Sequence, residues 1–425
     1  MSTLRNVLIL SYYFPPMGLG GVQRVQKFVK YLPLFGWRPI VVTVKDVAYH
    51  GRDESLLREL PPEALVYRTG SYDPLRVAHR MGVQAGEGKT GNGVRKLAKW
   101  LLFPDNQILW VPFAVQCAKN IIREHKIDAL FSTFPPGSAH LAGYMVHRSS
   151  GIPWVVDYRD SWLDGEFSRP ASNIHYAMLK ILNHKFTRRA NHVTAVTSHI
   201  AGQLSDLRGD NGDTTVISNG YDPEDFQGLD EPPPDDRFTL TYCGTLNEAR
   251  HPGPLLESIR HLLDQYPEMS DHLHIKLVGA SIDLDVDGLI DYYRLPNVVT
   301  RLGYLPHREA LAHLAASDAV LLLVTSEPSR ASGVPTGKFY ECAATGRPVL
   351  AIATDGSGLA WLKKTGRGFI VSPRDTGGIS NVIGSWIRQH AEGVLPAYGV
   401  TDTEAFSRPN LTGQLARILD HVSNT

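Results

Sequence analysis

The sequence has 425 residues, of which 43% are hydrophobic and 20% are charged, and these values are typical of a globular chain with about two domains. Its 43 lysines and arginines balance 43 acidic residues. The chain therefore lacks the basic excess that is typical of a nucleic-acid-binding protein. The three cysteines, Cys117, Cys243 and Cys342, form no Cys-x-x-Cys pair, which excludes a zinc knuckle or a disulfide framework. The N-terminus resembles a first strand and not a signal peptide, and no apolar run reaches the roughly 20 residues that span a bilayer. We therefore expect a cytoplasmic protein.

Short apolar, β-branched runs alternate with longer amphipathic stretches along the whole chain. These runs are residues 7–10, 40–44, 129–132, 154–157, 192–196, 215–218, 239–242, 275–278, 298–301, 319–324, 349–352 and 368–371. Continuous apolar strands that alternate with helices indicate parallel sheets covered on both faces. The sequence therefore predicts an α/β fold with two doubly wound Rossmann-like domains that face each other across a cleft.

An acidic, proline-rich stretch at residues 230–236 has no apolar period and is the best linker in the sequence. It predicts an N-terminal domain over residues 1–228 and a C-terminal domain over residues 229–400. The last residues, 401–425, form an amphipathic segment that follows no strand, and this segment could dock back on the N-terminal domain.

A basic segment at residues 95–103 combines cations with apolar side chains. Arg95, Lys96 and Lys99 alternate there with leucines and a tryptophan, and Phe103 ends the segment. A basic helix with an aromatic end suits an anionic membrane surface, which would make the protein peripheral on the cytoplasmic face. The alternative is an ordinary helix with a solvated basic face.

The first strand leads into a loop that contains Gly20 and Gly21, after which the spacing predicts a helix. Glycines between a strand and a helix let the backbone come close to a ligand, and the N–H groups at a helix N-terminus attract anions. The dinucleotide fingerprint is incomplete, because Gln23 stands where the third glycine is required. The loop is predicted to approach an anionic ligand, with a purely structural turn as the alternative.

Polar side chains follow two other strands of the first half. His140 lies in the block after one strand, and Asp157, Arg159 and Asp160 end or follow the next. Side chains at the carboxyl ends of parallel strands face the ligand crevice of an α/β sheet. These four residues are the dense set of acid- and base-capable groups predicted at that edge. A structural pair between Arg159 and a carboxylate is the alternative.

The first strand of the second half is followed by Gly244, Thr245 and, five residues later, Arg250. The same rule for parallel strands places these residues at a ligand edge. Arg250 is a candidate phosphate contact, because charge-assisted hydrogen bonds from guanidinium groups to phosphate are strong. An exposed arginine without a role is the alternative.

A glycine-rich loop opens a helix further along the second half, with Gly333, Thr336 and Gly337 in the loop, Lys338 in the first helical turn and Glu341 one turn later. Lysine is unusual in a first turn, where the helix dipole favours acids. A bound diphosphate would explain it, with Lys338 as the countercharge and Glu341 accepting from the hydroxyls of a ribose. The alternative is a surface lysine with a capping glutamate.

Asp283, Asp285 and Asp287 begin like a calcium-binding loop, but Arg294 stands where the bidentate glutamate is required. An Asp-x-Asp element could also hold a metal for a nucleoside diphosphate, although this tripeptide is common by chance. We predict that the protein has no metal site.

Taken together, the blocks resemble the GT-B glycosyltransferases of the large retaining class called family 4. Their order and spacing carry the resemblance, and the blocks are the Gly20-Gly21 loop and residues 135–140, 157–162, 218–222, 243–246, 303–306 and 338–349. The resemblance implies that the C-terminal half binds the nucleotide of an activated sugar and that the N-terminal half holds the acceptor.

The resemblance also implies roles for single residues. Arg250 and Lys338 would hold the diphosphate, and Gly21 would approach the donor phosphate or sugar. The Glu-x7-Glu element of the family ends on Glu341, but its first glutamate falls on Gly333. Backbone N–H groups of residues 333–337 would then take over the contact that this glutamate makes with the donor sugar.

The activity that follows is retaining transfer of a sugar from a nucleoside-diphosphate sugar to a glycan or a polyprenyl-linked acceptor, without a metal or another cofactor. The leaving phosphate itself can accept the proton of the acceptor, so the sequence requires no protein nucleophile. His140 is expected to touch the sugar or the acceptor, and Asp157 is the candidate base if a protein base exists. The alternatives are a nucleotide-sugar epimerase of the same fold and a degenerate nucleotide-sugar-binding protein.

Overall fold

The computed structural model describes residues 4–18, 20–47, 52–80, 100–163, 170–209, 213–325, 337–354, 359–399 and 401–424. The chain divides into two compact units. The first consists of residues Met1–Ser218 and Arg408–Thr425, and the second consists of residues Asn219–Ser407.

The first unit contains a seven-stranded parallel sheet in the order β3-β2-β1-β4-β5-β6-β7. Its strands are β1 (Arg5–Leu10), β2 (Trp37–Val44), β3 (Leu65–Thr69), β4 (Ala129–Phe134), β5 (Trp154–Tyr158), β6 (His192–Ala195) and β7 (Thr214–Val216). Its helices are α1 (Gly20–Tyr31), α2 (Ser55–Arg58), α3 (Pro74–Arg80), α4 (Val111–Glu124), α5 (Gly137–Ser150), α6 (Asn173–Arg189) and α7 (Ser198–Arg208). Every residue of β4 and β5 is buried, as expected for central strands covered on both faces.

The second unit contains a six-stranded parallel sheet in the order β10-β9-β8-β11-β12-β13. Its strands are β8 (Phe238–Cys243), β9 (Leu273–Val278), β10 (Val299–Gly303), β11 (Ala319–Val324), β12 (Val349–Ala353) and β13 (Gly368–Val371). Its helices are α8 (Gly253–Gln265), α9 (Val286–Tyr292), α10 (His307–Ala315), α11 (Gly337–Ala344), α12 (Ala360–Thr365) and α13 (Thr376–Ala391). The prediction of two doubly wound α/β sheets is confirmed.

The last helix, α14 (Arg408–Ser423), belongs to the first unit. Its residues Leu411, Leu415 and Leu419 are buried in one apolar cluster with Val25 and Phe28 of α1. The α14 carboxylate Asp420 accepts a hydrogen bond of 2.8 Å from the Trp37 indole and also pairs with Arg5. Burial of this apolar face stabilises the helix on the sheet that the N-terminal residues form.

The border between the units lies at residues 218 and 219, earlier than the predicted border at 228. Tyr221 is the physical reason, because its ring is buried in a core cluster of the second unit and its backbone N–H donates to the Phe406 carbonyl. The predicted linker is also part of the second unit, where Asp235 pairs with Arg237 and His274. Residues 401–407, which the sequence analysis joined to the last helix, belong to the second unit as well.

Both sheets have a point where the strand order reverses. It lies between β1 and β4 in the first sheet and between β8 and β11 in the second. At such a point the loops after the two neighbouring strands diverge to opposite faces and leave a crevice that binds ligands. Among the described helices, none is long and apolar enough to cross a membrane.

Candidate active site

The reversal point of the first sheet carries the glycine loop predicted from the sequence. The loop after β1 leads to α1, which begins at Gly20, and the loop after β4 leads to α5, which begins at Gly137. Gly21 is exposed in the first turn of α1. A methyl group added at Gly21 would come no closer than 3.6 Å to its nearest neighbour, the Arg159 guanidinium. The exposed backbone of Gly21 is therefore accessible to a ligand.

Arg159 joins the two loops at this edge. Its guanidinium donates to the carbonyl of Phe134 at 3.1 Å and also to the carbonyls of Pro135 and Gly21. Burial lowers the pKa of Arg159 to about 10, partly offset by Asp157, and the group stays charged at neutral pH. Arg159 thus fixes the backbone of both loops.

Asp157 is a buried structural carboxylate and not the free base suggested by the sequence. It is 0% exposed and accepts four hydrogen bonds, two from Arg24 at 3.1 and 2.8 Å and one each from Thr133 and Thr194 at 2.8 Å. Burial alone would raise its pKa, but the Arg24 charge and these hydrogen bonds hold the pKa below the ordinary value. A carboxylate whose two oxygens are both occupied by buried donors is poorly suited to accept a proton from a substrate.

Arg24 is the partner that the sequence analysis missed. It forms a bidentate pair with Asp157 in which the two side chains are 2% and 0% exposed, and its third nitrogen donates to the Ser218 carbonyl at 2.7 Å. The sequence suggested a structural pair with a carboxylate only for Arg159, as an alternative to a role in the site. The available signal was the position of Arg24 one turn before Phe28, which places both residues on the same face of α1.

His140 lies in the interior of the first unit, within an aromatic cluster. It is 0% exposed, its Nδ1 is 2.8 Å from the Ser132 hydroxyl, and its ring is 4.8 Å from that of Tyr158. Burial lowers its pKa to about 3, so the imidazole is neutral at physiological pH. A neutral buried imidazole can orient a neighbour but is not positioned as a nucleophile.

Stability should therefore decrease as the pH falls through the range set by His140. The pKa of His140 is 6.5 in the unfolded chain and about 3 in the folded protein. Between pH 3 and pH 6.5 the unfolded state therefore binds one more proton than the folded state. We expect the free energy of unfolding to fall with pH below 6.5, and a His140→Gln variant to show a shallower slope. Urea titrations at several pH values measure both slopes. Identical slopes for the two proteins would contradict the assignment.

The N-terminus of α5 already has a carboxyl group as its partner. Asp105 accepts hydrogen bonds from the backbone N–H and the hydroxyl of Ser138, at 2.9 and 2.5 Å. Burial raises the pKa of Asp105, partly offset by these hydrogen bonds, which act on its ionised form. The Asp105 carboxyl group therefore occupies this helix end, whereas the N-terminus of α1 is exposed at Gly21.

The reversal point of the second sheet brings together the loop after β8 and the end of β11. The Thr325 N–H donates to the Ala249 carbonyl at 3.1 Å, and the Thr325 hydroxyl accepts from the His251 N–H at 2.9 Å. Gly244, Thr245 and Arg250 all lie in this β8 loop. These three sequence-predicted residues therefore lie where the topology provides a crevice.

Two hydrogen bonds hold the backbone at the start of the β8 loop. The Gly244 N–H donates to Val278 at 2.8 Å, and the Tyr242 hydroxyl donates to the Thr245 carbonyl at 3.0 Å. Gly279 has a φ of +139°, and a methyl group there would lie 1.8 Å from the Gly244 carbonyl oxygen, so this close approach requires glycine.

Arg250 is anchored through its backbone, while its side chain is available. The Asn247 side-chain oxygen accepts from the N–H groups of Ala249 and Arg250, both at 3.0 Å. The half-buried guanidinium makes no hydrogen bond or ion pair with any residue that the structure describes. A cation without such a partner can bind an anion without first breaking a contact.

Lys338 and Glu341 form an ion pair one turn apart on α11, with 2.9 Å between Nζ and the carboxylate. Their side chains are 30% and 11% exposed, so the ammonium is accessible and the carboxylate is largely covered. Burial alone would lower the pKa of Lys338 and raise that of Glu341, but their mutual attraction reverses both shifts. Glu341 was predicted to meet a ribose, and in this structure it holds Lys338.

Arg250 and Lys338 both lie close enough to the Tyr242 phenol to influence its ionisation. Both cations lower the pKa of the buried Tyr242 phenol, which burial raises far above its ordinary value. Gly337 begins α11, while Gly333 and Thr336 lie outside the described residues. Two cations and the start of a helix therefore lie around the reversal point of the second sheet, and this arrangement can stabilise a polyanion.

Residues 20–225 match the model of Glycosyltransferase Family 4. No curated protein sequence shows significant similarity to the chain.

Solved structures share the fold over nearly the whole chain. A sucrose-phosphate synthase from Thermosynechococcus elongatus is 17% identical, with a TM-score of 0.66 over 98% of this chain and 99% of its own. A glycosyltransferase from Rickettsia africae is 16% identical, with a TM-score of 0.60 over 99% and 98%. The trehalose-6-phosphate structure from E. coli bound with UDP-2-fluoro glucose is 9% identical, with a TM-score of 0.59 over 97% and 98%.

Proposed function

We propose that the chain is a glycosyltransferase of the GT-B fold that transfers a sugar from a nucleoside-diphosphate sugar with retention of configuration, and the match of residues 20–225 to Glycosyltransferase Family 4 supports this proposal. The acceptor is a glycan or a polyprenyl-linked glycan, in the synthesis of a polysaccharide or glycolipid. The observation that carries the donor assignment is the available Arg250 side chain beside the Lys338 ammonium at the reversal point of the second sheet.

The chemistry requires stabilisation of a departing diphosphate. Charge-assisted hydrogen bonds from Arg250 and Lys338, together with the N-terminus of α11, stabilise the negative charge that develops on the leaving group. These groups supply the countercharge without a metal or another cofactor. Glu341 keeps Lys338 charged and oriented until the donor binds, and the backbone of residues 244–245 and of Gly337 approaches the nucleotide sugar.

The proton of the acceptor goes to the leaving phosphate in this proposal. Asp157 is bound to Arg24 and to two threonine hydroxyls, so it is a positioning residue for α1 and not a base. His140 orients the aromatic cluster under the β4 loop, and Gly20 and Gly21 leave the backbone at the start of α1 open to a sugar or phosphate group.

The test is release of a nucleoside diphosphate from uridine, guanosine or adenosine diphosphate sugars in the presence of an acceptor. We expect release that depends on both substrates. Conversion of the donor with no acceptor present would indicate an epimerase instead. Tight donor binding without turnover across a broad panel of acceptors would indicate a degenerate binding protein.

The second part of the proposal is association with a membrane through residues 95–103 and the neighbouring helix α6. The cations of residues 95–103 lie outside the described residues. Trp100 and Leu101 are 53% and 72% exposed, and the Trp100 ring lies 4.8 Å from the ring of His175 on α6. Helix α6 exposes further large apolar side chains beside this contact, Ile174, Tyr176, Met178 and Ile181. Apolar side chains exposed on adjacent segments suit an interfacial contact.

The charge of α6 is complementary to an anionic membrane. Its 17 residues include Lys180, Lys185, Arg188 and Arg189 and no acidic residue. Basic residues beside exposed apolar ones are attracted to anionic headgroups while the apolar groups enter the interface. We therefore propose that this helix and residues 95–103 hold the protein on the cytoplasmic leaflet.

A Trp100→Ser/Ile181→Ser variant should bind vesicles of anionic phospholipid at least about tenfold more weakly than the unchanged protein, because each large apolar group contributes about 1.5–3 kcal/mol when buried. Vesicle flotation measures the partition. Tyr292→Ser, which removes a side chain 76% exposed on the second unit, is the matched control and should have no effect. Equal partition of both variants would contradict the membrane contact.

A further inference from the structure

An open pocket of about 350 Å³ lies in the first unit, apart from the residues discussed so far. Six residues line it, and they are Lys45, Asp46, Arg68, Arg76, His79 and Arg80. Lys45 directly follows β2, Arg68 is in β3, and the other three basic residues are on α3. The pocket is therefore at the carboxyl edge of the sheet, the edge that also carries the β1 loop.

The lining of the pocket has a large excess of positive charge. Lysine and arginine supply four positive charges against the single carboxylate of Asp46, which leaves a net charge of +3 with His79 neutral. Cations repel each other when they gather in one pocket, and a multivalent anion removes that cost. Guanidinium groups match phosphate oxygens better than any other side chain, because their N–H donors form a planar fork.

Several of these cations have no partner to neutralise them. Among the residues that the structure describes, the side chains of Lys45 and Arg80 make no hydrogen bond or ion pair, and the Arg76 Nε is buried without an acceptor. Within the described ranges, the side chains of Arg68 and Arg76 donate only to backbone carbonyls, those of Val44, Pro15 and Asp46. Their charges are thus available to a ligand, while the backbone contacts hold the two side chains in place.

The Arg68 contact with Pro15 connects the pocket to the candidate active site. Pro15 lies in the loop between β1 and α1, and the same loop ends at Gly20 and Gly21. A group bound at Arg68 would lie beside the loop that the proposed function places at the reacting sugar. The first unit is also the unit to which that function assigns the acceptor.

We propose that this pocket binds a phosphate or diphosphate group of the acceptor substrate. The assignment of this anion to the acceptor rests on the proposed function. The prediction that the pocket binds an anion rests only on the charges of the residues that line it. A net charge of +3 fits a phosphate dianion or a diphosphate better than a single carboxylate. The same chemistry is present in a sugar phosphate and in a polyprenyl diphosphate, and the experiment separates these two sources.

Calorimetric titration with inorganic pyrophosphate tests the pocket independently of activity. All proteins carry Arg250→Ala, which weakens pyrophosphate binding at the proposed donor site. Adding Lys45→Ala and Arg80→Ala should weaken the remaining pyrophosphate affinity about tenfold or more, because two charge-assisted contacts are lost. Both side chains are exposed and unpartnered, so the fold should be unaffected. Lys119→Ala with Arg123→Ala, exposed cations on α4, is the matched control.

Unchanged pyrophosphate affinity in the Lys45→Ala/Arg80→Ala protein would contradict anion binding by the pocket, whether or not the enzyme transfers sugar.

Steady-state kinetics with variants that retain Arg250 then test the acceptor assignment. The Lys45→Ala/Arg80→Ala variant should raise KM about tenfold for a phosphorylated acceptor and leave KM for the donor unchanged. An effect with a sugar phosphate identifies the soluble source, and an effect with a polyprenyl diphosphate glycan identifies the lipid-linked source. No effect with either acceptor would overturn the acceptor assignment.

Discussion

Replacing Arg250 by alanine is expected to lower kcat/KM for the nucleotide sugar about 100-fold while leaving the stability of the protein unchanged. The guanidinium makes no hydrogen bond or ion pair within the described part of the chain, so its removal costs the fold almost nothing. The loss in rate corresponds to about 2.7 kcal/mol, the size measured when one preorganised donor to a developing charge is removed.

Steady-state kinetics with the donor varied, together with thermal unfolding, measure this result. Arg374→Ala is the control, because Arg374 lies in the second unit and its side chain likewise has no partner among the described residues. The control should keep its kinetics. Unchanged kcat/KM in the Arg250 variant would remove this residue from the donor site.

Lys338→Ala should reduce activity as strongly, but its effect has a structural component. Glu341, whose side chain is 11% exposed, would lose the ammonium that stabilises its charge. Lys338→Ala combined with Glu341→Gln removes both charges and should recover the thermal stability lost in the single variant without recovering donor use. Recovery of both would show that the pair is only structural.

The largest effect on stability is expected at Arg24. Arg24→Ala would leave the Asp157 carboxylate buried without its countercharge, and breaking such a pair from one side costs about 3–5 kcal/mol. Urea unfolding measures the free energy. Replacing both residues by apolar ones, Arg24→Met with Asp157→Leu, should be much less destabilising, because no buried charge is left unpaired.

The matched control for this experiment is an exposed ion pair of the same unit. Lys126 is 88% exposed and pairs with Asp128 at 3.1 Å, so Lys126→Ala should cost less than about 1 kcal/mol. If Arg24→Ala cost as little as this control, the buried pair would not be the anchor of α1 that the structure indicates.

The alternation of strands and helices was predictable because parallel sheets bury both faces. In the described part of the chain, twelve of the thirteen strands overlap a predicted apolar run, and only β3 (Leu65–Thr69) was missed. It lies at the edge of the first sheet, is mostly half-buried and contains Tyr67 and Arg68. An edge strand buries less apolar surface, so its sequence carries a weaker signal. That strand contributes Arg68 to the basic pocket.

The local sequence also determined which segments carry the chemistry. Glycines after β1 and β8, and Lys338 in the first turn of α11, are recognisable without a structure, because backbone approach and helix ends impose requirements on neighbouring residues. Such requirements extend over one or two turns of chain. They indicate the kind of ligand but not the partners of a side chain.

Only the tertiary structure decided which charges are paired. Arg24 and Asp157 are 133 residues apart in sequence, yet they form the buried pair, while Arg159 binds backbone carbonyls. Lys45, Arg68 and Arg80 likewise come together because β2, β3 and α3 are adjacent in the fold. Charge pairing depends on distances through space, which the order of residues along the chain does not contain. The sequence therefore determined the two α/β sheets and the ligand loops, and the fold decided that Asp157 is a structural residue and that a separate basic pocket exists.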